Sequence, residues 1–259
     1  MIDTSLRLRT YPFPIESELL EAANKHGYRI GPEYSGGWMI FRSASAPGEI
    51  GVAATVEGMA GPFFLSVSHP GAVREFEGRE ASPPVKGHAG AFAFLSRDSL
   101  FVAVSAIYRL SMSLPTLPYE DYLRETAALS DTEADRTQKV RIGQDRFRAA
   151  LMDYWNGTCP LTGITDTALL RASHIIPWAT CGSDQERLDV HNGLLLSALW
   201  DGAFDSGLIT FDDQGIAVSS PKLSNAAHQK LGVDCAIPLN LSHEHKNRLV
   251  WHRAHVWQA

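Results

Sequence analysis

Apolar residues in the first part of the chain recur at two spacings, one helical and one typical of strands. Ile15, Leu19, Leu20, Ala22 and Ala23 recur at helical spacing, and Gly27 provides a stop, so we predict a helix over residues 15–26. Short apolar runs separated by Gly, Pro and Ser predict strands at residues 38–41, 50–56, 63–67 and 92–95. Residues 79–90 are interpreted as a loop, and residues 100–110 as a strand or a buried helix.

The second half has a different order of patterns. We predict a helix over 119–129 and a longer helix from Thr137 with Phe147, Ala150, Leu151 and Tyr154 along one face. A strand over 169–176, an apolar run over 194–196, a helix over 198–205 and a hairpin over 208–218 follow. A polar stretch at 130–135 separates the halves. We therefore predict an α+β protein: residues 1–130 form a small α+β domain with an antiparallel sheet, and residues 131–259 form a second domain.

Composition and charge restrict the class of protein. With 259 residues and 44% hydrophobic content, the chain has enough apolar mass for a core. No apolar run approaches the roughly 20 residues of a membrane helix, and the first residues lack a secretion-signal pattern, so we expect a cytoplasmic protein with no membrane partner. Three scattered cysteines, Cys159, Cys181 and Cys235, form no Cys-x-x-Cys pair, so no structural zinc is expected.

The net charge of −6 argues mildly against nucleic-acid binding, but it hides local basic segments. One lies between Arg136 and Arg148, and another holds Lys246, Arg248 and Arg253 among histidines. Each segment is either a solvated helix face or a set of phosphate contacts.

Polar residues of catalytic type are spaced through the strand, loop, strand and helix of the second half. His174 precedes Asn192, and Asp201 lies on the following helix with Asp205 four residues later on the same face. This spacing would place an imidazole, an amide and a carboxylate around one point. Such a cluster suits a single hard metal ion and a scissile phosphate.

Four ordered blocks carry a resemblance to a known family. They are Arg141-Ile142-Gly143-Gln144-Asp145-Arg146-Phe147-Arg148, then Cys159-Pro160-Leu161-Thr162-Gly163, then Ala172-Ser173-His174-Ile175-Ile176-Pro177-Trp178, and then Arg187 to Leu196, closed by Phe204 to Ile209. Together they resemble the HNH endonuclease family, which has a ββα-metal fold, over roughly residues 137–257. The resemblance is to the bacterial branch that carries Ala-Ser-His-Ile and Asn-Gly-Leu-Leu-Leu.

The resemblance implies a role for each site residue. His174 would be the general base that takes a proton from the attacking water, and Asn192 would orient His174 or brace the loop. Asp201 would bind a divalent cation, Mg²⁺ or Mn²⁺. Many relatives have Asp where this chain has Ser173, a weak metal ligand, and Asp205 could compensate. The candidate DNA contacts are Lys139, Arg141, Arg146, Arg148, Arg187 and Arg253.

The sequence therefore predicts a metal-dependent DNA endonuclease that nicks or cuts double-stranded DNA. By analogy we expect a place in bacterial restriction or anti-phage defence. Two alternatives stay open: a catalytically decayed DNA-binding module, and an RNA-directed nuclease or toxin. The front domain would sense DNA or bind other defence-system proteins, its aromatic residues Trp38, Phe41, Phe63 and Phe64 forming either a base-binding pocket or the sheet core. A double-strand cut would need a homodimer or two nicks.

Overall fold

The computed structural model describes residues 2–55, 61–114, 116–130 and 132–259. Backbone contacts divide the chain into two compact units, Met1–Met112 and Ser113–Ala259, called unit 1 and unit 2 below. Helices and antiparallel sheets occur together, which confirms the predicted α+β class. The predicted domain boundary between residues 130 and 131 stays a prediction.

Unit 1 is built on one seven-stranded sheet. Its strands are β1 (Ile2–Asp3), β2 (Ile30–Ser35), β3 (Trp38–Arg42), β4 (Glu49–Ala54), β5 (Phe63–Val67), β6 (Glu80–Ser82) and β7 (Gly90–Phe94). Their spatial order is β1-β6-β7-β5-β4-β3-β2, with every pairing antiparallel except β1 with β6. The predicted loop over 79–90 therefore needs a correction, because residues 80–82 pair with both β1 and β7.

Three helices accompany this sheet: α1 (Phe13–Lys25), α2 (Pro70–Glu75) and α3 (Arg97–Ser113). In α1 the apolar stripe that predicted the helix is buried. The run at 100–110, for which strand and helix were both open, is helical. The aromatic residues Trp38, Phe41, Phe63 and Phe64 are at most 2% exposed and belong to the core of the sheet. The end of the predicted strand 50–56 lies outside the described residues.

Unit 2 begins with two packed helices and continues with short elements. These are α4 (Thr116–Thr126), α5 (Glu133–Tyr154), β8 (Leu170–His174), α6 (Asp184–Leu188), β9 (Gly193–Ser197), α7 (Ala198–Asp205), β10 (Ile209–Phe211), β11 (Ala217–Ser219), α8 (Asn225–Leu231) and α9 (His243–His255). Helix α5 begins four residues before the predicted Thr137 because Thr132 caps it, its side chain accepting a hydrogen bond from the amide of Asp135. The sequence patterns did not predict α6, α8 or α9, which are short or largely polar.

The centre of unit 2 is a two-stranded sheet flanked by helices. Strands β8 and β9 pair antiparallel, with His174 opposite Gly193 and Leu170 opposite Ser197. Helix α7 follows β9 without a loop and packs back on both strands, burying Trp200 and Phe204. Helix α5 packs against the same strands through Phe147 and Leu151. The predicted strand–loop–strand–helix order is thus present as a ββα unit.

Among the described residues, no single helix is long and apolar enough to span a membrane; α3 and α4 pass that test only when they are joined, by length and composition.

Candidate active site

His174 lies at the end of β8, where the chain leaves the sheet. Its ring stacks on Phe147 of α5, with centroids 3.8 Å apart, and meets Trp178 edge-on at 5.5 Å. Burial among these rings lowers the pKa of His174, while the carbonyl of Arg187 and the charge of Asp205 act in the opposite direction. A lowered pKa keeps the imidazole neutral near pH 7, which is the form able to accept a proton.

One hydrogen bond decides which nitrogen of His174 can accept that proton. Nε2 lies 2.9 Å from the carbonyl oxygen of Arg187. Because a carbonyl only accepts, Nε2 carries the hydrogen and donates it, and Nδ1 keeps the free lone pair. Nδ1 is therefore the ring nitrogen that is able to accept a proton.

The two aspartates of α7 stand one turn apart, as predicted. Asp201 is half-buried and Asp205 is exposed. Burial raises the pKa of Asp201, and the nearby charge of Asp205 raises it further. The hydroxyl of Ser173 and the cation of Arg171 act in the opposite direction and lower this pKa. These effects place Ser173, Arg171 and Asp205 around Asp201, and the effect of Asp205 on the pKa of His174 links the carboxylates to the imidazole.

Ser173 is 4% exposed, and its hydroxyl has no hydrogen-bond partner of ordinary geometry among the described residues. It faces Asp201 closely enough to lower the pKa of that carboxyl but does not form a well-aligned hydrogen bond with it. A buried hydroxyl without a partner costs about 1–3 kcal/mol. A cation between Ser173 and Asp201 would satisfy both oxygens.

Asn192 is fully buried and braces the loop that follows β8. Its Oδ1 accepts from the amide of Ile176 at 2.9 Å, and its Nδ2 donates to the carbonyls of Ile176 and Glu186 at 3.2 and 3.3 Å. Of the two roles that the sequence left open, this geometry fits the bracing of the loop. Asn192 does not face solvent, and the catalytic role predicted for it stays a prediction.

Several candidate DNA contacts are engaged within the protein. Arg187 donates to the carbonyls of Trp178 and Cys181 and pairs with Asp184 at 2.8 Å, so its guanidinium fastens the loop. The others with partners are Arg146 with Glu125 and Asp121, Arg148 with the carbonyls of Thr167 and Leu170, and Arg253 with Asp213 and the carbonyl of Phe211.

Lys139 is partly exposed near Asp135, and Arg141 is exposed with no partner among the described residues. Of the C-terminal basic residues, Arg248 forms an ion pair with Asp189. DNA contact by the candidate residues stays a prediction, and Arg141 is the member of the set whose guanidinium has no competing partner in the described part of the chain.

Sequence reasoning missed Arg171. It lies on β8 two residues before Ser173, hence on the same face of the strand, and its guanidinium is exposed. One nitrogen donates to the carbonyls of Ala168 and Leu170, both at 2.9 Å, which anchors the group beside the carboxylates. The alternation of side chains along β8 was the signal that could have identified it.

Comparison with known sequences agrees with this geometry. Residues 159–212 match the sequence model of a family described as HNH endonuclease. The matched segment contains β8, β9 and α7 with His174, Asn192 and Asp201. It thus confirms the predicted resemblance over this segment and supports a nuclease with a nucleic-acid substrate. No curated protein matches the chain.

Proposed function

We propose that unit 2 is a metal-dependent endonuclease that hydrolyses DNA phosphodiester bonds. The observation that carries the proposal is the orientation of His174, whose Nε2 is held by a backbone carbonyl, so that Nδ1 can accept a proton, while Asp205 is close enough to raise the pKa of the ring. An imidazole held in this tautomer suits a general base acting on water.

The residues present fit a divalent cation. Asp201, Asp205 and Ser173 supply only oxygen, and the buried Ser173 hydroxyl lacks a partner of ordinary geometry. An oxygen donor set with carboxylates favours Mg²⁺ or Mn²⁺ over zinc. When bound, such an ion would supply charge stabilisation to the phosphate and to the leaving oxygen.

The chain's own residues account for the proton transfer and positioning. Water attacks phosphorus as its proton passes to Nδ1 of His174; an oxygen–phosphorus bond forms, and the bond from phosphorus to the leaving sugar oxygen breaks. Phe147 and the Arg187 carbonyl keep the ring in place during this step. Arg171 is positioned to bind an oxygen of the same phosphate or of its neighbour.

Cleavage of supercoiled plasmid by the purified chain tests the proposal. We expect cutting with Mg²⁺ or Mn²⁺ and none with EDTA, and we expect His174→Ala to lower the rate about 10²- to 10⁴-fold while DNA binding persists. The matched control is His243→Ala, which removes an exposed histidine of α9. Undiminished cutting by His174→Ala would contradict the assignment.

Two further arms separate the alternatives. Binding of DNA without cleavage in any divalent metal would identify a decayed binding module. This alternative is considered because Ser173 stands where many relatives have an aspartate. Parallel digestion of DNA and RNA decides the substrate.

We also propose a role in bacterial restriction or anti-phage defence, supported by the presence of a separate compact unit ahead of the nuclease. Phage plating on cells that express the wild type or His174→Ala tests this role, and equal plating would refute it.

A further inference from the structure

Unit 1 contains a groove that is lined by its own residues. Two cavities of about 620 and 350 Å³ adjoin, since Arg7, Ser35 and Gly36 line both, and they are together called the groove below. It runs between the N-terminal segment, the β2–β3 turn and the loop that follows β6. Together the cavities fall within the size range of small-molecule sites.

Positively charged side chains predominate in the groove. Among the described residues, the larger cavity is lined by Arg7 and Arg9 and by no acidic side chain, and Lys86 lines the smaller one. Glu33 and Glu49, which line the smaller cavity, both pair with Arg42. Asp3 lies close to Arg7, but its carboxylate accepts hydrogen bonds from the amide and hydroxyl of Ser5. Arg9 and Lys86 are exposed without a partner among the described residues.

The cationic wall is fixed before any ligand arrives. Arg7 donates through Nε to the carbonyl of Gly36 at 2.8 Å and through Nη1 to the carbonyl of Thr4 at 2.6 Å, and its guanidinium lies 5.3 Å from the centroid of the Trp38 ring. Carbonyls hold the group without neutralising its charge. The other terminal nitrogen of the guanidinium, Nη2, can donate hydrogen bonds to an anion.

The opposite wall is fastened by a buried polar chain. The amide of Val85 donates to Oγ of Ser66 at 2.9 Å, and His88 joins the same hydroxyl to Glu49 through contacts of 2.9 and 3.2 Å. Because Ser66 is fully buried in β5, the loop that carries Lys86 is tied directly to the sheet.

One aromatic residue, Tyr34, is among those that line the larger cavity. Tyr34 is 58% exposed on the edge strand β2, and its hydroxyl donates to Glu16, which limits rotation of the ring. Single-stranded nucleic acids bind where an exposed aromatic ring lies beside arginines that form no ion pair. The bases then stack on the ring, and the phosphates contact the cations.

We propose that this groove binds a nucleoside phosphate, with the phosphate at Arg7 and Arg9 and the base against Tyr34. The ligand is either one unit of an unpaired DNA strand or a free mononucleotide, since both present the same chemistry. This site is independent of the nuclease centre and would persist if the proposed cleavage activity failed.

Fluorescence anisotropy with a fluorescein-labelled twelve-residue oligothymidylate, the full chain and EDTA tests the site. Tyr34→Ala should weaken binding about ten-fold, whereas Tyr34→Phe should stay within about two-fold, because stacking needs the ring and not the hydroxyl. Both substitutions are at an exposed edge position, and circular dichroism checks the fold.

Charge reversal supplies the second readout. Arg9→Glu and Lys86→Glu should each weaken binding at least about five-fold, and Arg9→Ala should reduce the slope of log affinity against log salt by about 0.7. The matched control is Arg29→Glu, an exposed arginine of unit 1 that lines neither cavity. Binding by unit 2 is common to all variants, so equal affinity of Arg9→Glu, Tyr34→Ala and Arg29→Glu would overturn the proposal.

Competition identifies the form of the ligand. Displacement of the probe by thymidine monophosphate at similar concentration supports a single-nucleotide site, and displacement only by unlabelled oligothymidylate supports a strand. Photo-crosslinking of a 5-bromouracil oligonucleotide should label Tyr34 in the wild type; labelling confined to unit 2 would also overturn the proposal.

Discussion

At the scale of single residues, the candidate site is organised by backbone groups as much as by side chains. The carbonyl of Arg187 fixes the tautomer of His174, and the carbonyls of Ala168 and Leu170 anchor Arg171. Arg187 itself contributes its guanidinium to the loop rather than to a free surface. A basic residue near the site is therefore available for contact with DNA only if its side chain is not already used in hydrogen bonds within the protein.

Arg171→Gln tests the residue that sequence reasoning missed. Removing this cation should lower kcat/KM for DNA cleavage about 10- to 100-fold, because a charge-assisted hydrogen bond to phosphate is lost. The salt slope of metal-free DNA binding should also fall by about 0.9, a change that a purely structural role would not cause.

The control for Arg171→Gln is Lys230→Gln, which removes one positive charge from the exposed face of α8. Arg171→Lys should retain part of the activity. If Arg171→Gln and Lys230→Gln cleave alike, Arg171 has no role at the phosphate.

At the scale of elements, one face of α5 supports the imidazole. Gly143 leaves room for Trp178, since a Cβ there would lie 2.7 Å from the indole, and Phe147 one turn later stacks on His174. On β9, Gly193 lets Phe147 approach the strand. The glycines and the phenylalanine of the recognised blocks thus serve the packing of a single ring.

Gly193→Ala tests this packing. The added Cβ would lie 2.4 Å from Cζ of Phe147 and 2.8 Å from Cδ1 of Leu151. We expect the free energy of unfolding to fall by about 1–3 kcal/mol, measured by urea denaturation, because overpacking forces α5 away from β9. Cleavage should fall as well, because Phe147 would move with the helix.

Gly202→Ala is the control of opposite sign. Gly202 is an exposed helical glycine of α7, and a Cβ there would meet nothing within 4 Å. Alanine should raise the free energy of unfolding by about 0.5–1 kcal/mol. An equal response to both substitutions would argue against a steric origin.

The sequence predicted the elements that have strong periodicity or family motifs. Strands β8 and β9 and helix α7 were predicted close to their observed positions. The convergence of His174 with Asp201 stays a prediction. The sequence did not predict the partners of Arg146, Arg148 and Arg187, because a long side chain can reach many carbonyls and only the fold decides which. Short or polar helices such as α6 and α9 were missed because their apolar pattern is weak.

At the scale of the whole molecule, acidic net charge and nucleic-acid binding are compatible because the cations are placed locally. The chain carries a net charge of −6, yet Arg171 lies beside the nuclease site and Arg7, Arg9 and Lys86 line the groove of unit 1. Stability of the fold depends on charge in another way, through histidines that are buried.

Buried His252 makes the stability of the protein depend on pH. It is 1% exposed, stacks on Phe204 and contacts Thr210, and burial lowers its pKa to about 4. The unfolded chain, with a histidine pKa near 6.5, binds more protons between these values, so stability is lost as pH falls below about 6.5. Because of this group, the free energy of unfolding should fall by roughly 1.4 kcal/mol when the pH is lowered from 8 to 5.5.

Urea denaturation at the two pH values, followed by tryptophan fluorescence, measures this loss. His252→Gln should reduce the difference between them, whereas His255→Gln, at an exposed position of α9, serves as the control for removal of one imidazole. A pH difference that is the same in both variants would contradict the assignment to His252.

The acceptor for the His174 ring is a peptide carbonyl, and this has a consequence for variation at position 187. Any amino acid placed there still presents the same oxygen, so a substitution at that position cannot delete the carbonyl that orients the imidazole. A substitution at position 187 can break this contact only indirectly, by displacing the turn. Inactivation of the centre through this contact would therefore be expected to come from insertions, deletions or prolines between residues 175 and 191, and such length changes are the feature to look for in inactive variants.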